Sequence, residues 1–417
     1  MRRMAVLVGV GLTFVLCAFE RAAAIEELSV EEDISDLLPY DMAANTPETA
    51  VTRHWAILPQ LGYAPDSGPV VGLKYTHRDL FHTGATFDVD GTYAALNQQE
   101  GFGLSFSQPH LLNDRVLIDV RAKFSANPQR DFFGLGNNEQ GPDPASTNSF
   151  QDIVGVVTGG WRPLDSLALS LSVGFRKVNI GEGDQLNHCG SLSPCPFTVD
   201  AFPDLPGVHG GVANTLSVSL VWNDRDSVVR PTHGWRGILK VIHSNKAFFS
   251  DFEFTRYIAD LGYLRAFGDG RYILGLRVDG EWVDGPNGQV PYWEVAELGG
   301  EDTMRGFFPH RFVGQGRVLL NGEVRLLIGE FDFFDLWHVK IDGVLFGDGG
   351  RVFLNDSEVQ DEFKLNADVF GRLISDFRYS YGGGLRIALG HALVARIDAG
   401  FSTEEAGLIY LSFGQTF

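Results

Sequence analysis

The sequence predicts an all-β fold, a transmembrane antiparallel β-barrel of 16 strands with long extracellular loops. Three observations carry that prediction. The first is a period-two alternation over segments of about ten residues, the length a tilted strand needs to cross the hydrocarbon of a bilayer. The second is what alternates: one face is apolar and often ends in aromatics, whereas the other holds charged and small polar residues. The third is that connection lengths sort by strand parity, as a barrel with long loops at one end and short turns at the other requires.

In chain order the strands are expected near 53–63, 69–77, 84–95, 101–109, 115–125, 150–162, 166–180, 212–223, 234–245, 251–266, 270–283, 316–328, 338–348, 377–389, 391–401 and 407–417. The eleventh shows the pattern well. Tyr272, Leu274, Leu276, Val278 and Trp282 share one face, and Arg277, Asp279 and Glu281 share the other. In the twelfth, Val318, Leu320, Val324, Leu326 and Ile328 stand opposite Arg317, Asn321, Glu323 and Arg325. A soluble sandwich alternates too, with its apolar face inside. The strand lengths and the aromatic ends, such as Trp222, Trp282, Phe413 and Phe417, favour a membrane wall with interfacial girdles. Backbone groups in lipid must pair internally, so the sheet has to close. The long connections 126–149, 181–211, 284–315 and 349–376 all follow odd strands, while even strands lead mostly into short turns such as Arg162-Pro163-Leu164-Asp165.

Composition narrows the classes further. The chain has 417 residues, 50 of them Gly and 32 Phe, and 44% are hydrophobic. That apolar fraction excludes a disordered chain. Gly costs about 1 kcal/mol in a helix interior, so this count disfavours a helical protein. After residue 24 no apolar run approaches the roughly 18 residues of a spanning helix. The formal net charge of −20 opposes nucleic-acid binding, so no nucleic-acid partner is expected.

Three segments are expected. Residues 1–24 read as a signal peptide, with Arg2 and Arg3, an apolar stretch from Ala5 to Phe19, and small residues Ala22 to Ala24 for cleavage. The bulky Leu16 before Cys17 argues against a lipoprotein. Residues 25–52 form an acidic periplasmic lead-in with Glu26, Glu27, Glu31, Glu32, Asp33 and Asp36, and 53–417 form the barrel domain. In an oxidising compartment Cys189 and Cys195, close together in a Gly/Ser/Pro-rich stretch, are expected to form a local disulfide. With His188 they would not complete a structural zinc site, and no metal or cofactor is expected.

Four stretches carry a family resemblance. Leu298-Gly299-Gly300-Glu301-Asp302-Thr303-Met304-Arg305-Gly306-Phe307 precedes the twelfth strand. Asn223-Asp224-Arg225-Asp226 and Pro231-Thr232-His233-Gly234 bracket a short turn. Phe346-Gly347-Asp348-Gly349-Gly350 ends the thirteenth strand, and Leu411-Ser412-Phe413-Gly414-Gln415-Thr416-Phe417 ends the chain. Together, over roughly residues 53–417, they resemble the BamA/TamA-type outer-membrane insertases and the two-partner-secretion transporters. The resemblance implies the outer membrane of a Gram-negative cell, with the outer-membrane lipid bilayer as a partner and other outer-membrane proteins or periplasmic factors as further ones. It implies that the loop bearing Arg305, Gly306 and Phe307 folds into the lumen, where Arg305 meets acidic residues of the twelfth and thirteenth strands. The alternation places Glu323 and Asp348 on that inward face. Phe413 and Phe417 resemble the terminal signal by which barrels are delivered for insertion.

The expected function follows from the resemblance: a barrel that assists insertion or translocation of outer-membrane proteins or lipids. The physical means would be a weak seam between first and last strands, to which a client strand can add. Gly414 and Gly382 to Gly384 fit such weakening, or equally close packing on the wall. The family's insertases carry periplasmic POTRA domains, whereas only residues 25–52 precede the first strand here, too few for a small domain. The alternative is a passive channel or structural surface protein, since sixteen strands can enclose water. An enzyme is not expected: none of the 11 His lies in a Gly-x-Ser-x-Gly or His-Glu-x-x-His setting.

Overall fold

The computed structural model describes residues 54–137, 143–183, 189, 194–227, 230–286, 288–333, 337–354, 376–389 and 393–413. The expected signal peptide, the acidic lead-in, Gly414 and Phe417 lie outside the described residues. Within them sixteen strands close into one antiparallel barrel. In chain order they are β1 (Trp55–Ala64), β2 (Gly68–Leu80), β3 (Ala85–Ala94), β4 (Glu100–Leu111), β5 (Val116–Phe132), β6 (Ser146–Leu164), β7 (Leu167–Gly181), β8 (Gly210–Asn223), β9 (His233–Ser244), β10 (Phe254–Phe267), β11 (Tyr272–Asp284), β14 (Gly316–Phe333), β15 (Trp337–Phe353), β16 (Arg378–Leu389), β17 (Leu393–Ser402) and β18 (Leu408–Phe413). Two short strands, β12 (Ala296–Leu298) and β13 (Phe312–Gly314), pair with each other inside the connection from β11 to β14.

The wall inverts the usual rule for soluble proteins. Along β7, Leu169, Leu171, Val173 and Phe175 are 37 to 60% exposed, while the alternating Ser170, Ser172 and Arg176 are buried. The same inversion holds on β11 and β14, where Leu276, Val278, Leu320 and Val324 are exposed but Asp279, Glu281, Asn321, Glu323 and Arg325 are buried. An outer face of this composition suits hydrocarbon, and an inner face of paired charges suits a closed lumen. No helix among the described residues is long and apolar enough to cross a membrane.

Several strands outrun the expected limits. β5 and β6 continue as a hairpin to Phe132 and back from Ser146, with a register shift between Asn127 and Arg130. Pro128 cannot donate to the ladder and breaks the alternation there, which is why the pattern stops short of the true end. β14 and β15 likewise pair as far as Gly316↔Phe353. At this end the connections fold over the lumen. Phe132, Phe150, Phe252, Phe254, Tyr292 and Trp293 form one buried cluster, with Phe202 and Leu205 packed on it.

One expectation needs correcting. Gly382 to Gly384 lie on β16, whose partners are β15 and β17, so they are two strands from the closure of the barrel and cannot weaken it. Of the two readings, close packing is the one the geometry supports. A Cβ on Gly382 would stand 2.4 Å from the Phe346 ring, and one on Gly384 would stand 2.2 Å from the Asp398 carboxylate.

Candidate functional site

The connection from β11 to β14 enters the barrel and fixes itself to the inner wall in two places. Its hairpin, β12 and β13, pairs from Ala296↔Gly314 to Leu298↔Phe312 and presents a tip at 299–311. The tip is stitched internally. Thr303 Oγ1 accepts from the Gly299 amide and donates to its carbonyl, both at 2.8 Å, and the Gly300 amide donates to Phe307 O at 3.0 Å. Leu298, Met304, Phe307 and Phe312 then form an apolar wedge against Leu319 of β14 and Val352 of β15.

The wedge carries Arg305 into full burial. Its Nε and Nη2 donate to the two oxygens of Asp348 at 2.9 and 2.7 Å, and its backbone amide adds a third bond to Asp348 at 3.2 Å. Its Nη1 donates to Glu323 at 3.1 Å. The guanidinium lies 3.6 Å over the Phe346 ring. Glu323 is shared, because Arg325 Nε and Arg386 Nη2 also donate to it, and Arg386 Nη1 reaches Asp398 at 2.7 Å. An Arg can stand so deep only because every strong donor direction meets an acceptor, since an unpaired buried charge costs several kcal/mol, ~3–5 for a broken pair.

The tip also holds the last strands. Arg396 of β17 donates to Glu301 at 2.8 Å and Asp302 at 3.0 Å, and its Nε donates to Ser412 of β18 at 2.9 Å. Tyr410 of β18 is buried and donates its hydroxyl to Phe307 O at 2.9 Å. Arg311 reaches Glu404, between β17 and β18, at 2.8 Å.

The second attachment lies nearer the long-connection end. Glu294 is buried, accepting from Arg176 at 3.1 Å with Arg256 at 3.6 Å. Arg176 is bidentate to Asp152, and it donates to the carbonyl of Trp293 at 3.1 Å. The Trp293 indole donates to Gly207 O at 3.1 Å. Between the two attachments, Arg317 pairs with Asp279 at 2.8 Å and Arg277 with Asp260 at 2.9 Å, so cations and carboxylates line much of the inner wall.

At the hairpin's base, Glu297 accepts from Arg130 at 3.4 Å and pairs closely with His310. Burial pushes its carboxyl up, but His310, Arg130 and Arg176 outweigh that and hold it at about 2, against an ordinary 4.5. A carboxyl depressed in the folded state contributes stability that is full above its unfolded value and is lost as pH falls through the folded one. The unfolding midpoint of the wild type is therefore expected to converge on that of Glu297→Gln between pH 4.5 and about 2. A constant gap across that window would refute the pairing.

Of the residues singled out in the sequence, Arg305, Glu323 and Asp348 come together, with Gly306 and Phe307 in the same tip. Phe413 lies on β18, paired with Ala395. Cys189 and Cys195 are joined by a disulfide. The turn motif folds on itself, with Asp226 accepting from the amides of Thr232 and His233. The sequence alone does not single out Glu294, Trp293, Arg176, Asp152 or Arg386. Their inward parity was visible for those on strands, but their pairing needs the register of the closed barrel.

The Omp85 superfamily domain matches residues 79–417. Among solved structures the chain is similar to BamA from Haemophilus ducreyi lacking POTRA domains 1-3, with a TM-score of 0.61 and 13% identity over 87% of this chain and 70% of that one. It is similar to CdiB from Escherichia coli, with a TM-score of 0.56 and 14% identity over 86% of this chain and 62% of that one. CdiB from Acinetobacter baumannii gives 0.52 and 10%, over 86% and 59%. The chain thus spans less than two thirds of the CdiB chains, and at these identities the likeness is one of fold. No curated protein matches the chain in sequence.

Proposed function

The chain belongs to the Omp85 superfamily and is a bacterial outer-membrane protein, and on that premise we propose that it assists insertion or translocation of outer-membrane proteins or lipids at the seam between β1 and β18. One observation supports this reading above the others. Among the described residues β18 registers six residue pairs with β17, from Ala395↔Phe413 to Gly400↔Leu408, but only Tyr63↔Leu411 with β1. β1 registers ten with β2. Over the part of β18 described, both strands bordering the seam are better held on their other side, which favours the seam as the place where the ladder parts. A parted edge presents unpaired N–H and C=O groups, to which an extended client strand can add.

Passive conduction fits less well, because a charge-paired loop lies across the lumen. In planar bilayers the expected conductance is small, and large steady openings would favour the channel instead. The decisive test is to close the seam. Tyr63→Cys with Leu411→Cys places a thiol on each of the paired residues. Oxidised protein in lipid vesicles is expected to lose its acceleration of barrel-protein folding, and reductant should restore it. Equal acceleration in both states would remove the seam from the mechanism.

A further inference from the structure

We propose that the β9–β10 connection is a membrane-interface anchor, a hook that seats Phe249 and Lys246 in the lipid headgroup region on the side of the barrel opposite the seam. Phe249 stands at φ 60, ψ 31, a left-handed conformation that bulky L residues avoid, and its side chain is 90% exposed. In water both features are unfavourable, yet a polar frame enforces them. Asn245 caps the short turn by accepting from the Ala247 amide at 2.8 Å. Asn214 donates to the carbonyls of Phe248 at 2.7 Å and Phe249 at 3.0 Å. Asp251 accepts from the Val212 amide at 2.8 Å, and Ser244 and Ser250 bond through their hydroxyls at 2.8 Å.

The frame also gives the direction of the hook. Asn214 belongs to the outward row of β8, whose next members Leu216 and Val218 are exposed. His243 belongs to the outward row of β9 with Leu239 and Val241, and it meets the Phe248 ring edge-on at 6.3 Å. The connection therefore leans outward over the lipid-facing wall, and Phe248 and Phe249 extend that wall's apolar surface. Lys246 is exposed at the start of the same short turn, so its ammonium group stands beside the two Phe rings at the level proposed for lipid phosphates. In the closed order β8 and β9 stand as far from the β1–β18 seam as the barrel allows. An anchor there holds the depth of one side while the seam side is free to move. That mechanical consequence rests on the seam reading; the anchoring itself does not.

The test is depth-resolved. Phe249→Cys is labelled with a nitroxide, without reductant so that the Cys189–Cys195 bond stays closed, and reconstituted in phosphatidylethanolamine/phosphatidylglycerol vesicles. Asp204→Cys, on the exposed β7–β8 connection at the same end, is the control. The ratio of collision with oxygen to collision with a nickel chelate is expected to be about threefold higher at 249 than at 204, because oxygen concentrates in lipid and the chelate in water. Equal ratios would overturn the proposal. Asn214→Ala removes both carbonyl contacts and is expected to lower the ratio at 249 toward the control. An unchanged ratio would overturn the role given to the frame.

Discussion

Asp348→Ala is expected to release the lumen loop and lower barrel stability by about 3–5 kcal/mol, the cost of breaking a buried pair. Arg305 gives Asp348 three of its four hydrogen bonds to carboxylates, at 2.7, 2.9 and 3.2 Å, and gives Glu323 one at 3.1 Å. After the substitution the fully buried guanidinium keeps one hydrogen-bonded carboxylate, Glu323 at 3.1 Å, with Asp398 at 3.9 Å. Arg305→Lys should cost nearly as much, because an ammonium cannot span both oxygens of Asp348 and still reach Glu323.

Glu323 behaves differently. It already holds Arg325 and Arg386, so losing Arg305 leaves it neutralised. Losing Glu323 itself strips Arg325 of its carboxylate. Glu323→Gln should therefore destabilise the wall strongly while leaving the loop in place. Double-mutant cycles separate the two. The coupling of Arg305 to Asp348 is expected near 3 kcal/mol and that of Arg305 to Glu323 near 1 kcal/mol, within the range of interacting buried groups. Urea unfolding in detergent gives the free energies, and protease cleavage within 299–311 reports the loop. Additive effects for Arg305 and Asp348 would dispose of the pairing.

The contrast between these carboxylates marks how far the sequence alone reaches. Which face Glu323 and Asp348 occupy is a matter of period two, and that is local, so the alternation suffices. How many cations each one meets is set by strand register around a closed ring. Arg386, 63 residues from Glu323, meets it only once β14, β15 and β16 are in register. Glu294 escaped notice for another reason. It lies in a connection with no alternation, and its meaning depends on Arg176, which is 118 residues earlier in the chain. The extension of β5 past Asn127 was hidden by a bulge at Pro128, which breaks periodicity without ending the pairing. Local pattern thus fixes strands and faces, whereas non-local closure fixes partners.

Gly400→Ala separates packing from charge in the loop's attachment. Gly400 sits on the inward row of β17 with Arg396 and Asp398, and a Cβ there would stand 1.8 Å from the carbonyl oxygen of Arg305 and 2.9 Å from the Gly306 amide nitrogen. Gly306 is equally confined, with its own Cβ position 2.6 Å from the Phe401 carbonyl. Backbone thus meets backbone, and one side has to yield. β17 is hydrogen-bonded along both edges, to β16 and to β18, whereas the loop tip is held mainly by side chains. The tip is therefore expected to lift, taking Arg305 off Asp348 and Tyr410 off Phe307, although every charged residue remains in the chain. Overpacking alone costs ~1–3 kcal/mol. With the lost pairing added, the total should approach that of Asp348→Ala, about 3–5 kcal/mol. Gly155→Ala is the control, because a Cβ there meets nothing within 4 Å, and it should change stability by less than about 1 kcal/mol. If Gly400→Ala unfolds at the same urea concentration as Gly155→Ala and leaves 299–311 protected from protease, the loop does not rest against β17. The attachment would then rest on the charge pairs and on the apolar wedge against β14 and β15.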